Sequence, residues 1–331
     1  MSESMVARTG SRHGAGRLIG MGVVLTFAGQ GAQRAGMLAA LPDSAAVRET
    51  LAESADVLGC DMARLDSREA LADTETVQLA LTIVGVASAR HLAAEAGPPD
   101  AVMGLSIGAW PAAVIAGAIA YADALTLVRE RGRLMGQAYP AGYGMSAVIG
   151  LDEARVRELV ADLYRDDRPL YVGNVNSDSQ IVVAGHDEAL QRLDTVALEQ
   201  GASRVQRLDM AVPSHCALLD APAERLGQVA ADTPFAAPDC AYFSANRQRR
   251  LWRSEQIRDD LVYNMARTVY WAASARIVHE SGYTLAVEMP PARVLTRLHP
   301  RLDTPGEAVA VIDAGWHNAA ALIRRALHSA D

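Results

Sequence analysis

Residues 104–108 read GLSIG and lie between an apolar segment, 101–103, and a stretch of small and aliphatic residues, 109–119. A serine at the centre of a G-x-S-x-G run, on a sharp turn from a strand to a helix, projects its hydroxyl outward. The flanking glycines let neighbouring backbones approach without a side-chain clash. The run predicts a strand, turn and helix of an α/β fold and makes Ser106 a candidate nucleophile. Taken alone, it is equally consistent with a glycine-rich turn between two core elements.

Composition limits the classes of function. The chain has 331 residues, 50% of them hydrophobic, enough for a large core in one domain with an insertion or in two domains. A formal net charge of -8 argues against a nucleic-acid-binding surface, which needs an excess of basic residues. The sequence contains no lysine, which excludes a lysine Schiff base, a P-loop lysine and a Ser-Lys pair.

The cysteines and the N-terminal region predict a cytoplasmic protein. Cys60, Cys216 and Cys240 lie far apart and lack the C-x-x-C spacing of a zinc or redox site, which favours a reducing compartment. Residues 1–20 lack the continuous apolar core of a secretory signal, so we expect a disordered extension. The apolar stretch 102–119 is interrupted by glycines and a proline, and this favours a buried strand and helix over a membrane span.

The hydrophobic pattern changes in the middle of the chain. Residues 23–27 are predicted to form the first buried strand, and a glycine-punctuated loop follows at 28–33. Between 145 and 209 the pattern becomes strand, helix, strand, strand, helix, strand, which is the βαββαβ order of a ferredoxin-like subdomain. The α/β pattern resumes from 210, so the middle segment is predicted to be an insertion.

A serine nucleophile needs a base to take its proton, and His215 is the strongest candidate. It lies in segment 212–216, where the predicted insertion returns to the main part of the chain, a position typical of a cleft edge. The other histidines are expected to have structural or surface roles; they are His13, His91, His186, His279, His299, His317 and His328. The amide of Ile107, directly after the serine, and one from the loop at 29–31 could bind an oxyanion.

Six segments follow one another in the order found in the malonyl-CoA:acyl carrier protein transacylase family, which the chain resembles from about Val23 to Leu298. The segments are 27–33, 104–108, 131–135, 174–176, 180–185 and 212–216, with further similarity at 257–262. The resemblance implies an α/β fold with a large α/β-hydrolase-like domain, 21–144 and 210–331, built on a parallel sheet. The inserted ferredoxin-like subdomain would then span 145–209.

The resemblance also implies catalytic roles. Ser106 would accept the acyl group, with His215 as its general base and no carboxylate as a third member. A backbone carbonyl would orient the imidazole instead, and the matching position is Asn264, where the family commonly has glutamine. The backbone amides of Gln30 and Ile107 would form the oxyanion hole.

Substrate-binding residues are implied in the same way. Arg131 would bind the free carboxylate of a malonyl group, for which a planar guanidinium offers a two-pronged partner. Without the family, the residue would be taken for a solvated charge on a helix face. Asn174 and Asn176 are further substrate-binding candidates. The implied partners are malonyl-CoA and an acyl carrier protein with a phosphopantetheine-type thiol, and neither a metal nor another cofactor is expected.

Departures from the family pattern indicate a subgroup. Leu105 and Ala109 stand where the family has histidine and an acidic residue, and 289–291 read MPP in place of Gly-Pro-Gly. With the alanine at 28, these features are most similar to the transacylase subunit of bacterial malonate decarboxylase. Such an enzyme loads malonyl onto a small carrier subunit with a CoA-like prosthetic group, and the other decarboxylase subunits would be partners. The alternative within the family is malonyl transfer for fatty-acid or polyketide synthesis.

Two functions from other classes remain open. A serine esterase or thioesterase would release the acyl group to water, with His317 and Asp313 as its relay. A non-catalytic subunit of a larger complex is the other alternative. A basic cluster near position 250 is expected to be a solvated loop, and a docking site for the carrier is the alternative; the cluster consists of Arg247, Arg249, Arg250 and Arg253.

Overall fold

A computed structural model of the chain describes residues 22–139, 141–210, 212–300 and 306–328. The expected N-terminal extension, 1–20, lies outside the described residues. Pro140, at which the sequence predicts the end of a helix because proline cannot continue one, also lies outside them.

Strands and helices are numbered in chain order. The strands are β1 Val23–Phe27, β2 Ala101–Gly104, β3 Tyr143–Ile149, β4 Leu170–Ser177, β5 Gln180–His186, β6 Arg204–Arg207, β7 Ala241–Ser244, β8 Arg249–Leu251, β9 Val269–Tyr270, β10 Leu285–Glu288 and β11 Glu307–Ala310. The helices are α1 Ala45–Leu58, α2 Thr74–Ala96, α3 Ala109–Ile115, α4 Tyr121–Ala138, α5 Glu153–Leu163, α6 Asp187–Glu199, α7 Asp220–Val229, α8 Ser254–Tyr263, α9 Trp271–Glu280, α10 Val294–Arg297, α11 Val311–Ala314 and α12 Trp316–His328.

The larger sheet, within the described residues, has the strand order β11-β10-β1-β2-β7-β8. Neighbouring strands from β11 to β7 run parallel, and β8 pairs antiparallel with β7 at the edge. Every residue of β1, β2, β7 and β10 is buried, as expected for parallel strands that helices cover on both faces. The predicted α/β fold with a parallel sheet is confirmed.

Two layers of helices form the core on either side of this sheet. Val23, Leu25 and Phe27 pack into the layer that contains α2, whereas Val24 packs with Trp271 of α9. This alternation follows from the two-residue period of a strand. By length and composition alone, α2 is apolar enough to cross a membrane, but 83% of its most apolar window is buried inside the protein, as in a core helix.

The smaller sheet has the order β6-β3-β5-β4-β9 among the residues described. Its first four strands pair antiparallel in the order of a ferredoxin-like unit, and α5 and α6 pack on one face. The fifth strand, β9, was not expected: it comes from the later part of the chain and pairs parallel with Asn174 and Val175 of β4. β3 begins at Tyr143, two residues before the predicted boundary at 145.

Candidate active site

The nucleophile elbow connects β2 to α3. Ser106 has a φ of 56°, a left-handed conformation that is strained for a residue with a side chain. A Cβ atom on Gly104 would lie 2.0 Å from the carbonyl carbon of Gly108, and one on Gly108 would lie 2.1 Å from the carbonyl oxygen of Phe27. Only glycine fits at both positions, so the elbow is held tightly against the end of β1.

His215 lies directly opposite the serine. Its Nε2 atom is 2.8 Å from Ser106 Oγ, and its Nδ1 atom is 2.7 Å from the carbonyl oxygen of Asn264 and 3.2 Å from that of Arg267. Because a carbonyl oxygen can only accept, Nδ1 carries the proton and donates it, leaving the lone pair of Nε2 for the serine hydroxyl. The imidazole therefore has the tautomer that a general base requires.

Burial also determines the charge of this imidazole. His215 is almost fully buried, and its pKa is lowered to about 4, first by loss of solvation and second by the positive charge of Arg131. The carbonyl groups of Asn264 and Arg267 oppose this shift in part. His215 is consequently neutral and able to accept a proton at neutral pH.

Arg131 of α4 is fully buried beside the serine. Its Nη1 donates to Gln78 Oε1 at 2.5 Å, and its Nη2 donates to Asn264 Oδ1 at 3.1 Å and faces Ser106 Oγ at 3.4 Å. Its Nε has no acceptor among the residues that the structure describes. Burial lowers the pKa of Arg131 to about 9, and no described carboxylate contributes to the shift. The site thus holds a buried cation without an anionic partner among the described residues.

A cleft of about 530 Å³ opens over the serine. Its floor is the elbow together with the loop after β1, and its opposite wall is the face of the smaller sheet that α5 and α6 leave uncovered. Asn174 and Asn176 lie on that wall. Asn176 donates to Gln180 Oε1 at 3.2 Å, and its own Oδ1 is buried without a partner in the described part of the chain. The cleft therefore offers polar groups opposite the nucleophile.

Comparison with known proteins identifies the family. The acyl transferase domain model matches residues 24–312. The malonyl CoA-acyl carrier protein transacylase of Salmonella typhimurium is 36% identical over 282 residues, which is 83% of this chain and 91% of the relative. The chain belongs to the malonyl-CoA:acyl carrier protein transacylase family of acyltransferases.

Solved structures of this family have the same fold. The crystal structure of the acyl-carrier-protein S-malonyltransferase of Burkholderia pseudomallei superposes with a TM-score of 0.85 at 33% identity, covering 91% of this chain and 100% of that one. A type II polyketide synthase acyl-carrier protein in complex with its malonyl-transacylase gives 0.84 at 33% identity and covers 92% and 98%.

The loop after β1 lies against the elbow. A Cβ atom on Gly29 would be 2.7 Å from a methyl carbon of Leu105 and 3.5 Å from the Cβ of Ser106. This close packing brings Gln30 to the rim of the cleft, while Ile107 follows the serine in a short turn and is buried. Gln30 thus borders the cleft that contains Ser106 and Ile107 directly follows the serine, while their role as oxyanion amides stays a prediction.

The proposed hydrolase relay is not assembled at this site. Asp313 forms an ion pair with Arg293 at 2.8 Å, and His317 is exposed at the start of α12. Neither residue lines the cleft. His215 occupies the position that the relay histidine would need, so the esterase arrangement with His317 as base is wrong.

The predicted basic cluster lies on and around the edge strand β8 and not in the cleft. Arg253 pairs with Glu255 at 2.9 Å, and the guanidinium of Arg250 stacks 3.4 Å from the centre of the Trp252 ring. The solvated loop expected here is wrong for residues 249–251, which form strand β8 and pair with β7. A docking role for the cluster stays a prediction.

Gln78 is a site residue that sequence reasoning missed. It is fully buried in α2, accepts from Arg131 and donates to Met135 Sδ at 3.4 Å. The available signal was its position: an amide side chain between the aliphatic residues Val77 and Leu79 of a largely buried helix needs a buried polar partner.

Proposed function

We propose that the protein transfers a malonyl group from malonyl-CoA to the phosphopantetheine thiol of an acyl carrier protein, through an ester on Ser106. The observation that carries this proposal is Arg131, a buried cation 3.4 Å from the nucleophilic oxygen and without an anionic partner among the described residues. A buried charge is costly unless it is paired. The distal carboxylate of a malonyl group would pair with it, whereas an acetyl group would leave it unpaired.

The first half-reaction forms the acyl-enzyme. His215 Nε2 takes the proton of Ser106 as Oγ attacks the thioester carbonyl, and the oxyanion is stabilised by the amides of Gln30 and Ile107. Collapse of the tetrahedral intermediate breaks the carbon–sulfur bond. The CoA sulfur leaves with the proton held on Nε2, so the malonyl ester on Ser106 faces a neutral imidazole.

The second half-reaction reverses the first with a different thiol. The carrier thiol gives its proton to His215 Nε2 and attacks the ester, and the serine oxygen leaves with that proton. In both steps the protons pass between Ser106, His215 Nε2 and the two thiols, and no atom changes its oxidation state. The proposed reaction therefore requires neither a metal nor a redox cofactor. The cytoplasmic location expected from the sequence stays a prediction.

The carrier belongs, in this proposal, to fatty-acid or polyketide synthesis. The relatives named above are transacylases that act on acyl carrier proteins, and one of them is in complex with a type II polyketide synthase carrier. Priming of a malonate decarboxylase carrier is a second candidate, favoured by Leu105 and Ala109 in place of the common histidine and acidic residue. Comparing transfer to a carrier with plain phosphopantetheine and to one with a CoA-like group separates the two.

Intact-protein mass spectrometry after brief incubation with malonyl-CoA or acetyl-CoA tests the acylation step. We expect a single malonyl adduct on the parent protein, much less acetyl adduct, and neither on Ser106→Ala. Ser88→Ala is the matched control, because Ser88 is buried in α2 and outside the cleft. Absence of any adduct on the folded parent protein would favour the non-catalytic subunit.

A further inference from the structure

We propose that the side chain of Asn264 is a positioning residue that sets the acyl-group selectivity of this site. The inference rests on the proposed function and deepens it. Asn264 is almost fully buried in the turn after α8. Its Oδ1 accepts from Arg131 Nη2 at 3.1 Å, and its Nδ2 donates to the carbonyl oxygen of Ser106 at 3.3 Å. One amide thus joins the substrate-binding cation to the backbone of the nucleophile.

The guanidinium is fixed from two sides. Gln78 Oε1 holds Nη1 at 2.5 Å, while Asn264 Oδ1 holds Nη2. A long arginine side chain otherwise has many rotamers, and two acceptors select one of them before substrate arrives. Nε and Nη2 form one edge of the guanidinium, and Nη2 faces Ser106 Oγ. Nε has no acceptor among the described residues, so this edge keeps a free donor next to the nucleophile.

The neutral charge of both acceptors has a chemical consequence. A carboxylate in place of either amide would pair with Arg131 in a buried setting and compete with the carboxylate of the substrate. An amide oxygen orients the guanidinium and leaves its charge available. Asn264 therefore positions Arg131 without neutralising it.

The side chain and the main chain of Asn264 perform separable tasks. The main-chain carbonyl accepts from His215 Nδ1 at 2.7 Å and orients the general base. Replacing the side chain leaves this carbonyl in place. A change at the side chain should consequently alter which acyl group is accepted more than it alters activation of the nucleophile.

The experiment compares Asn264→Ala, Asn264→Gln and Asn264→Asp in rapid-quench acylation by malonyl-CoA and by acetyl-CoA. For Asn264→Ala we expect the malonyl-to-acetyl ratio of second-order rate constants to fall about 10-fold, because a hydrogen bond to a charged group is lost. Acetyl transfer should fall by a smaller factor than malonyl transfer, because loss of the bond from Nδ2 to the carbonyl oxygen of Ser106 affects both acyl groups alike. Asn264→Gln, which keeps the amide, should restore most of the ratio.

Asn264→Asp provides the sharpest contrast, since it keeps the shape of the side chain, adds a charge and replaces the Nδ2 donor to the carbonyl oxygen of Ser106 by an oxygen that cannot donate. Its carboxylate would pair with Arg131, so we expect the malonyl-to-acetyl ratio to fall by about 100-fold. The loss should fall mainly on half-saturation by malonyl-CoA, and acetyl transfer should fall by a smaller factor than malonyl transfer.

Asn246→Ala is the matched control. Asn246 donates to the carbonyl oxygens of Arg267 and Thr268 at 2.9 and 3.1 Å and does not contact Arg131. Because the Arg267 carbonyl also accepts from His215, any loss of rate in this control should be the same for malonyl and acetyl transfer, so the ratio should stay unchanged. Thermal unfolding verifies that each variant is folded.

The outcomes separate this inference from the proposed function. A parent preference for malonyl that survives both Asn264→Ala and Asn264→Asp overturns the role of Asn264 alone. Parallel loss of malonyl and acetyl transfer in the folded variants also overturns it, because that pattern indicates a merely structural role. A parent protein that accepts malonyl and acetyl groups equally overturns the proposed function itself.

Discussion

At the scale of single residues, the chemistry of the site depends on two buried groups with opposite requirements. His215 must be neutral to accept a proton, and Arg131 must be charged to bind a carboxylate. Burial favours the neutral form of both, yet the pKa of Arg131, lowered to about 9, stays above neutral pH, whereas that of His215 falls to about 4. The same environment therefore gives each group the protonation state that its role needs.

The pH dependence of acylation tests the state of His215. Because its pKa is lowered to about 4, the base loses its lone pair to a proton only when the pH falls towards that value. We expect the second-order rate constant for acylation by malonyl-CoA to be flat from about pH 8 to about pH 5 and to fall below that. A midpoint near 6.5, the ordinary histidine value, would contradict the account. Circular dichroism at each pH excludes unfolding as the cause.

Replacement of Arg131 tests the selection of the acyl group. Arg131→Ala should lower the malonyl-to-acetyl ratio of acylation rate constants by about 100-fold, since the carboxylate loses a buried charged partner. Arg131→Lys should recover only part of the ratio, because an ammonium lacks the planar fork. Arg129→Ala is the control: Arg129 lies on the same helix and donates to the carbonyl oxygen of Val57. An unchanged malonyl-to-acetyl ratio in Arg131→Ala would show that another group binds the malonyl carboxylate.

Sequence reasoning identified Ser106, His215 and Arg131 as a set, although His215 is 109 positions from the serine. It did not yield Gln78, whose partner lies 53 positions away, and it did not yield the side-chain contacts of Asn264. Motifs specify which residue types recur together, while burial and hydrogen-bond partners arise only when separate helices pack. The shifted pKa of His215 is therefore a property of the fold and not of the motif.

At the scale of elements, the elbow shows how a local backbone requirement positions the nucleophile. Elements with long apolar or strictly periodic segments, such as β1 and α2, could be predicted from the sequence. The edge strand β8 and the two-residue strand β9 could not be predicted. They are too short to show a periodic pattern, and β9 forms only by pairing with a strand distant in sequence.

Substitution of a glycine at the elbow tests this packing. Gly108→Ala would place a methyl group 2.1 Å from the carbonyl oxygen of Phe27, so β1 and the elbow must separate. We expect a loss of at least about 2 kcal/mol in the free energy of unfolding, together with slower acylation. The measurement is urea unfolding followed by fluorescence.

Gly136→Ala is the control for this substitution. Gly136 lies within α4, where an added Cβ would be 3.7 Å from the nearest atom, the Cβ of Thr74. Alanine is favoured over glycine in a helix interior, so the control should be neutral or up to about 1 kcal/mol more stable. Equal effects of the two substitutions would contradict the close approach at the elbow.

At the scale of the whole molecule, the cleft forms between the loops that follow β1 and β2 and the uncovered face of the smaller sheet. β9 belongs by chain position to the larger part but pairs with β4 of the smaller sheet, and Thr268 Oγ1 donates to the carbonyl oxygen of Val172 at 3.0 Å. The sequence predicted an insertion but not this link, because a pairing between segments about a hundred residues apart leaves no local pattern. The link fixes the wall that carries Asn174 opposite the elbow.

Global stability should respond to Asp260, which connects α8 to β7. Its carboxylate accepts from Ser244 Oγ at 2.5 Å and Tyr242 Oη at 3.1 Å, and burial raises its pKa to about 6. Between about pH 4 and pH 6 Asp260 therefore keeps its proton in the folded state and has released it in the unfolded state. Proton binding by Asp260 stabilises the folded state at low pH, and this stabilisation is lost as the pH rises towards 6.

Asp260→Asn removes this titration. The quantity of interest is the free energy of unfolding of the variant minus that of the parent. We expect this difference to increase by up to about 3 kcal/mol from pH 4 to pH 7, because only the parent loses the stabilisation from protonated Asp260. Urea unfolding at four pH values in this range measures the difference. A difference that is flat, or that decreases with rising pH, would contradict the raised pKa.

The fate of the isolated malonyl-enzyme tests the central claim most directly, because transferases and thioesterases share the first half-reaction. The parent protein is loaded with malonyl-CoA, freed of excess donor and mixed with carrier protein that either bears phosphopantetheine or lacks it. Loss of the ester and gain on the carrier are followed by intact mass spectrometry. We expect transfer to the phosphopantetheine-bearing carrier at least about 100-fold faster than hydrolysis, and no acceleration by the carrier without it. Loss of the ester to water at the same rate in both mixtures would contradict the account and identify a thioesterase.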